Sequence, residues 1–266
     1  GRYDIARAGF EQLKNHDSYR SVVPYYLLQI EYRERNYDYV VSEGERLLAV
    51  STKSVRDDLL RIVAESYFVK GDYVMSLKYI NDYPADKHSR QENYIKGYSL
   101  YRLGRYREAI SPLRTVCGAM DGLTQNASYH LAECYLNTGD LQSATSAFSM
   151  ASTDGFDEEI AENALLNYGR LKFELDGDVF NESINVLKRY LDKYPTSEHC
   201  PEVQTLLIAA YYNSKDYGSA YAAIKAFPNP DKELRMALQK VAVFRAVDAV
   251  EEGNYDLAQS LLEEAE

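Results

Sequence analysis

The sequence predicts an all-α fold, a solenoid of stacked helix hairpins, and three recurring features predict it. An aromatic or large apolar residue follows each turn by two places, at Tyr3, Tyr37, Tyr73, Tyr106, Leu141, Phe180, Tyr217 and Tyr255, with gaps of 33 to 39 residues. That spacing is the period of helix-turn-helix repeats and is too regular for an ordinary globular domain. Mostly small residues stand three places later, at Ala6, Val40, Ser76, Ala109, Ala144, Ser183, Ala220 and Ala258. Nine places before the anchor stand Leu28, Ala64, Gly97, Ala132, Ile208 and Ala246, and Gly169 joins them if two extra residues are allowed in the following turn. Seven places after it the chain sets a large residue, from Phe10 and Ile80 to Leu113 and Leu262, with Gly44 as the one misfit. Small residues let paired helices approach, and a large one fills the gap to the next pair.

Taken in order, the chain opens on a lone second helix over 1–16, carried by Tyr3, Ala6, Phe10 and Leu13. Seven helix pairs follow, for fifteen helices in all. The first pair spans about Val22 to Ala49, with Ser21 as its cap and Pro24 in the first turn, where a missing N–H is tolerated. The second runs from about Asp57 to Tyr83, stopped by Pro84. The third, Asn93 to Val116, is the stretch the others copy: it folds back at Gly104, and Gly97 and Ala109 are where its two backbones touch. Pro112 lies past the first turn of its second helix and is expected to kink it. The fourth covers about Gln125 to Ala151 and is followed by the turn-rich Ser152 to Asp157. The fifth contains the Asp176-Gly177-Asp178 turn, the sixth begins at Pro201, and the seventh near Leu238 after Pro228-Asn229-Pro230. Neither end carries a polar capping helix, so the chain, a single solenoid over 1–266, reads as a piece of a longer repeat protein.

Gly97, Gly104, Tyr106 and Ala109, then Ala132, Tyr135, Gly139, Ala144 and Phe148, follow a known consensus, and Pro195 sits where it often ends a second helix. In these residues the chain resembles the tetratricopeptide repeat (TPR) family over essentially its whole length. The resemblance implies a right-handed α-α superhelix and a role in binding partners. The segment Tyr190 to Tyr212, with Tyr194-Pro195-Thr196-Ser197 before a new helix, is similar to repeats of bacterial envelope proteins. Those relatives include outer-membrane assembly lipoproteins of the BamD type and the periplasmic coordinator of the Tol-Pal system. They imply a periplasmic or outer-membrane-associated location ahead of a cytoplasmic one.

Composition narrows the classes further. At 45% hydrophobic and 27% charged, the chain is a folded protein, and no composition shift or linker divides it. A net charge of -11 disfavours nucleic acid and anionic membrane surfaces. No apolar run approaches the roughly 20 residues of a membrane span.

The search for chemistry finds no catalytic, metal or cofactor site. Cys117, Cys134 and Cys200 lack paired spacing; the first two fall on packing faces and read as small buried hydrophobes, the third as a bystander thiol at a helix start. His16, His88, His130 and His199 are scattered, and no strand precedes a glycine-rich phosphate loop. The sequons at Asn126 and Asn181 fall in predicted helices, which argues for chance. The chain is therefore expected not to be an enzyme.

Surface is what remains. In TPR relatives the second, fifth, ninth, twelfth and thirteenth places of each repeat line a concave groove. Carried onto this chain, those places hold Tyr25, Gln29, Tyr32 and Arg33 in the first pair and Asp58, Arg61, Glu65 and Phe68 in the second. The third holds Tyr94, Tyr98, Tyr101 and Arg102, the fourth Tyr129 and Glu133, and the fifth Arg170. The resemblance thus implies a tyrosine ladder flanked by Arg33, Arg61, Arg102 and Arg170, residue types that anchor protein interfaces. The expected function is a non-catalytic scaffold holding a partner protein or peptide, within a larger assembly formed through the parent protein. The alternative is a carbohydrate or cell-wall binder stacking sugars on the tyrosines, weakened by the absence of tryptophan. A packing role for the ladder is the structural alternative to both. Tyr25 and Gln29 replace the lysine and asparagine that the family uses to clamp a chaperone's C-terminal carboxylate, which argues against that role.

Overall fold

The computed structural model describes residues 2–153, 155–175, 182–227, 230 and 232–265. Among these are fifteen α-helices, the number the repeat register predicts, and no strand. The chain groups into two compact units that divide after Asp140, inside the predicted fourth pair.

The first unit holds α1 (Tyr3–Leu13), α2 (Val23–Arg33), α3 (Tyr37–Val50), α4 (Lys53–Val69), α5 (Tyr73–Asp82), α6 (Arg90–Arg102), α7 (Tyr106–Val116) and α8 (Gly122–Thr138). Consecutive helices pack antiparallel as hairpins, and the first helices α2, α4, α6 and α8 also lie side by side. The second unit holds α9 (Leu141–Ala151), α10 (Glu158–Leu175), α11 (Glu182–Lys193), α12 (Cys200–Asn213), α13 (Tyr217–Lys225), α14 (Lys232–Glu251) and α15 (Tyr255–Ala265). There α10 and α12 are neighbouring first helices, while α12 and α14 meet across α13 through Ile208, Ile224, Leu234 and Val241.

One backbone device makes every described hairpin turn. Two residues before each anchor the chain enters the left-handed region, at Arg35 (φ 63), Gly71 (φ 79), Gly104 (φ 72), Gly139 (φ 82), Lys215 (φ 61) and Gly253 (φ 77). The next N–H then reaches back to the last turn of the helix, as Asn36 does to the Glu31 carbonyl and Arg105 to the Leu100 carbonyl, both at 2.9 Å. This closure satisfies carbonyls the helix end would leave open. Arg35 and Lys215 adopt it without glycine's freedom, at a cost of roughly 1 kcal/mol each. The turn around Asp176-Gly177-Asp178, with the Phe180 anchor and the Asn181 sequon, lies outside the described residues.

Packing follows the small-residue pattern. A Cβ on Gly97 of α6 would meet Leu113 of α7 at 2.7 Å from its Cγ and 3.0 Å from its backbone N, so the helices touch there. Ala109 is fully buried beside this contact. Gly169 of α10 repeats the arrangement against Leu187 of α11, at 3.0 Å. The misfit Gly44 is explained by its neighbour: a Cβ there would collide with Val63 of α4, so the next first helix supplies the bulk.

Several boundaries differ from the sequence reading. Ser21 does not cap α2, whose N-cap is Val22 with no side-chain bond, although Pro24 does sit in the first turn. Helix α4 starts at Lys53 and α14 at Lys232, earlier than predicted, because polar first turns carry no apolar periodicity. Helix α6 starts at Arg90 behind a Ser89 capping box with Glu92, and α8 behind Asp121, which accepts from the Thr124 N–H. Helix α7 runs through Pro112 as one element.

Candidate binding face

Because α2, α4, α6 and α8 lie side by side, side chains a turn apart on one helix meet those of the next. The first stretch is a polar network. The Tyr25 hydroxyl donates to Asp58 Oδ2 at 2.8 Å, Gln29 Nε2 donates to the same oxygen at 2.9 Å, and Arg61 donates to Asp58 Oδ1 at 2.7 Å. The Tyr32 hydroxyl donates to Glu65 at 2.6 Å, with Arg61 also 3.7 Å from Glu65 and 6.0 Å above the Tyr32 ring. Burial opposes ionisation of Asp58, but its donors from Arg61, Gln29 and Tyr25 outweigh it and hold the carboxyl below the usual range. Burial, reinforced by an accepting carboxylate, pushes Tyr25 and Tyr32 each up to about 12.

The second stretch is a nest of rings. Phe68 of α4 packs edge-on against Tyr94 and Tyr98 of α6 at 6.2 and 5.5 Å, and against Tyr73 of α5 at 6.0 Å. Tyr98 stacks on Tyr94 at 5.7 Å, and His130 of α8 closes the nest 4.7 Å from Tyr98 and 4.8 Å from Tyr101. Tyr129 meets the His130 ring at 5.6 Å. Such pairs contribute roughly 0.5–1.5 kcal/mol each beyond area burial. Burial raises the Tyr94 hydroxyl; burial and a hydrogen bond to Glu133 raise that of Tyr101. Glu133 also lies 3.2 Å from His130 Nδ1. At the exposed edge Arg102 lies 4.9 Å above Tyr73 and 5.7 Å above Tyr98, and its Nη1 donates to both hydroxyls at 3.1 and 3.0 Å.

The structure thus brings Tyr25, Tyr32 and Arg61 into one cluster, and Tyr94, Tyr98, Tyr101, Arg102, Tyr129 and Glu133 into another. Arg33 ends α2, exposed and without an ion pair among the described residues. Arg170 lies in the second unit on α10, where Glu202 of α12 engages it through two bonds of 2.6 Å. Tyr73 and His130 join the nest although neither holds a groove place. Tyr73 is the anchor of α5, and that role alone marked it in the sequence.

No group of three metal-ligating side chains occurs among the described residues. The three cysteines are free thiols. Cys134 is fully buried, which pushes it up to about 12 and leaves it protonated; Cys117 is half-buried, with its Sγ 3.3 Å from Ser128 Oγ. The Cys200 thiol donates to the Tyr194 carbonyl at 3.1 Å.

The tetratricopeptide repeat family pattern matches residues 94–155, which include most of the ring nest. A second pattern, that of an outer membrane lipoprotein family, matches residues 160–232, which include the Tyr190 to Tyr212 segment. No curated protein matches the chain. Among solved structures, the C-terminal part of a TPR repeat-containing protein from Cytophaga hutchinsonii is similar with a TM-score of 0.55 at 15% identity, over 88% of this chain and 93% of that one. The apo form of RapI gives a TM-score of 0.50 at 11% identity, over 98% of this chain and 79% of that one. At such identities these likenesses speak for the fold alone. The tetratricopeptide repeat match over residues 94–155 agrees with the anchors and the shared turn closure, which carry the same hairpin repeat along the other described residues.

Proposed function

We propose that the chain is a non-catalytic scaffold whose first unit holds a segment of a partner protein against α4, α6 and α8. The observation that carries this is the mounting of Arg102. Two tyrosine rings and their hydroxyls fix its guanidinium, yet its Nε and Nη2 have no partner among the described residues. Asp58 and Glu65 neutralise Arg61, whereas Arg33 and Arg102 on this face have no carboxylate partner among the described residues. A fixed guanidinium beside half-buried rings suits a segment that sets a carboxylate next to an apolar side chain. Sugar stacking needs open ring faces, and in the nest most faces already meet another ring or Arg102. The outer membrane lipoprotein match supports an envelope location. No described helix is long and apolar enough to cross a membrane.

The test is a random-peptide selection on the whole chain, run beside a glycan array. We expect enriched peptides with Asp or Glu beside an aromatic or aliphatic residue, and loss of that enrichment on Tyr98→Ala. Glycan binding without peptide enrichment would overturn the reading.

A further inference from the structure

The net charge of -11 is not spread along the chain. Residues 1–140 hold 19 lysines and arginines against 19 aspartates and glutamates, so the whole excess lies in residues 141–266. Within the first unit cations gather at one edge. Because α2, α4 and α6 lie side by side and each hairpin is antiparallel, the turns over 33–36, 69–72 and 102–105 end on the same edge. Two contacts tie them into one row: Lys70 pairs with Asp38 at the start of α3, and Arg102 bonds to Tyr73 at the start of α5. The row carries Arg33, Arg35, Lys70, Arg102, Arg105 and Arg107, all exposed. Its carboxylates are engaged: Glu34 by Arg7, Asp38 by Lys70, Glu108 by Arg105, and Asp72 by the Met75 N–H. Arg33, Arg35 and Arg107 have no carboxylate partner among the described residues.

Three features set this edge apart from a solvated run of charge. Arg35 holds a left-handed backbone (φ 63) where the neighbouring turns use Gly71 and Gly104, so a cation is kept there against strain. Two aliphatic side chains, Val69 (52% exposed) and Leu103 (37%), stand between the arginines. A cleft of about 330 Å³ opens beside the third turn, lined by Arg105, Tyr106, Arg107, Asn137 and Thr138. We infer that this edge docks the first unit on an anionic lipid surface. Guanidinium forks match the oxygens of lipid phosphates, the cleft takes one headgroup, and the aliphatic pair reaches the boundary of the acyl chains. Neighbouring first helices lie about 8–10 Å apart, so the three turns span about 20 Å. Hairpin tips form an edge and not a groove, which a planar surface meets all at once and a single acidic peptide does not. Net charge disfavours such a surface for the chain as a whole, but charges in about 0.1 M salt interact over only about 10 Å, so the cations of the edge decide.

The experiment is cosedimentation of the whole chain with vesicles of phosphatidylcholine alone, or of phosphatidylcholine mixed with phosphatidylglycerol. We expect binding to the mixed vesicles only. Each cation beside an anionic surface strengthens binding about fivefold, so Arg35→Gly/Arg107→Ser should weaken it about 25-fold. Glycine suits the left-handed turn, so a thermal melt of this double variant should show no loss of stability, and its lost binding then reports on charge. Arg114→Ser removes an exposed cation from the far end of α7 and should leave binding within about twofold. No sedimentation with the mixed vesicles, equal sedimentation with both kinds, full binding by the double variant, or an equal loss in Arg114→Ser would overturn the proposal. So would a polyglutamate peptide that binds the chain but not the double variant while the mixed vesicles leave the chain in solution.

Discussion

The inner helices of the two units carry different chemistry at the same repeat places. In the first unit Tyr94, Tyr98 and Tyr101 pack on one another and on neighbouring first helices, and most carboxylates on that face have donors. In the second unit α14 sets Val243, Val247 and Val250 at the corresponding places, and these remain open. A repeat register decides which side chains share a face. Whether that face is already packed depends on its neighbours: α6 lies between the first helices α4 and α8, whereas no first helix follows α14 among the described residues.

The largest expected difference lies beneath those faces, at the glycines. Gly97→Ala puts a Cβ against both the backbone and the side chain of Leu113, and should destabilise by about 1–3 kcal/mol in chemical denaturation. Gly169→Ala meets mainly the movable end of Leu187 and should cost less than about 1 kcal/mol. Equal losses would mean that the two hairpins pack alike.

The surfaces give the next contrast. Tyr98→Ala removes ring contacts with Phe68, Tyr73, Tyr94 and His130 and should lower stability by about 1–3 kcal/mol. Val247→Ser touches an open stripe and should stay within about 0.5 kcal/mol. A thermal melt in which the two variants match would erase the distinction between a packed face and an open one.

Alkaline pH sharpens the comparison more gently. Tyr25 and Tyr32 titrate near 12 when folded, above the roughly 10 of an unfolded tyrosine. A raised pKa of this kind adds stability that is complete below about pH 10 and fades as pH rises toward 12. Tyr25→Phe/Tyr32→Phe should therefore flatten the loss of stability between pH 10 and 12, measured by urea unfolding. A slope unchanged by the double substitution would contradict the network geometry.

The smallest effects belong to the turns, where the sequence was only partly legible. Gly71, Gly104, Gly139 and Gly253 announce a left-handed residue, whereas Arg35 and Lys215 do the same work under side chains that hide it. Arg35→Gly should stabilise by about 0.5–1 kcal/mol, because relief of the left-handed strain exceeds the added chain entropy. A loss of stability would show that the Arg35 side chain matters more than its backbone.

The fifteen helices and the hairpin register could be read from spacing, because packing repeats and the anchors repeat with it. Gly44 could not be understood from its own repeat, since the residue that fills its space, Val63, comes from the next. The candidate face was legible as a list of places but not as two clusters. Periodicity assigns Tyr25 and Tyr98 to one face, yet whether each meets a carboxylate or a ring depends on the neighbouring helix. Tyr73 and His130 entered from outside the groove places for the same reason.

The most direct test of a binding face in the first unit is Arg102→Ala, assayed by titration calorimetry against a peptide from the selection and by thermal unfolding. Arg102 is exposed and contributes no carboxylate pair to the fold, so losing its contacts with Tyr73 and Tyr98 should lower stability by no more than about 1 kcal/mol while affinity falls about tenfold, near 1.4 kcal/mol. An unchanged affinity would contradict the account.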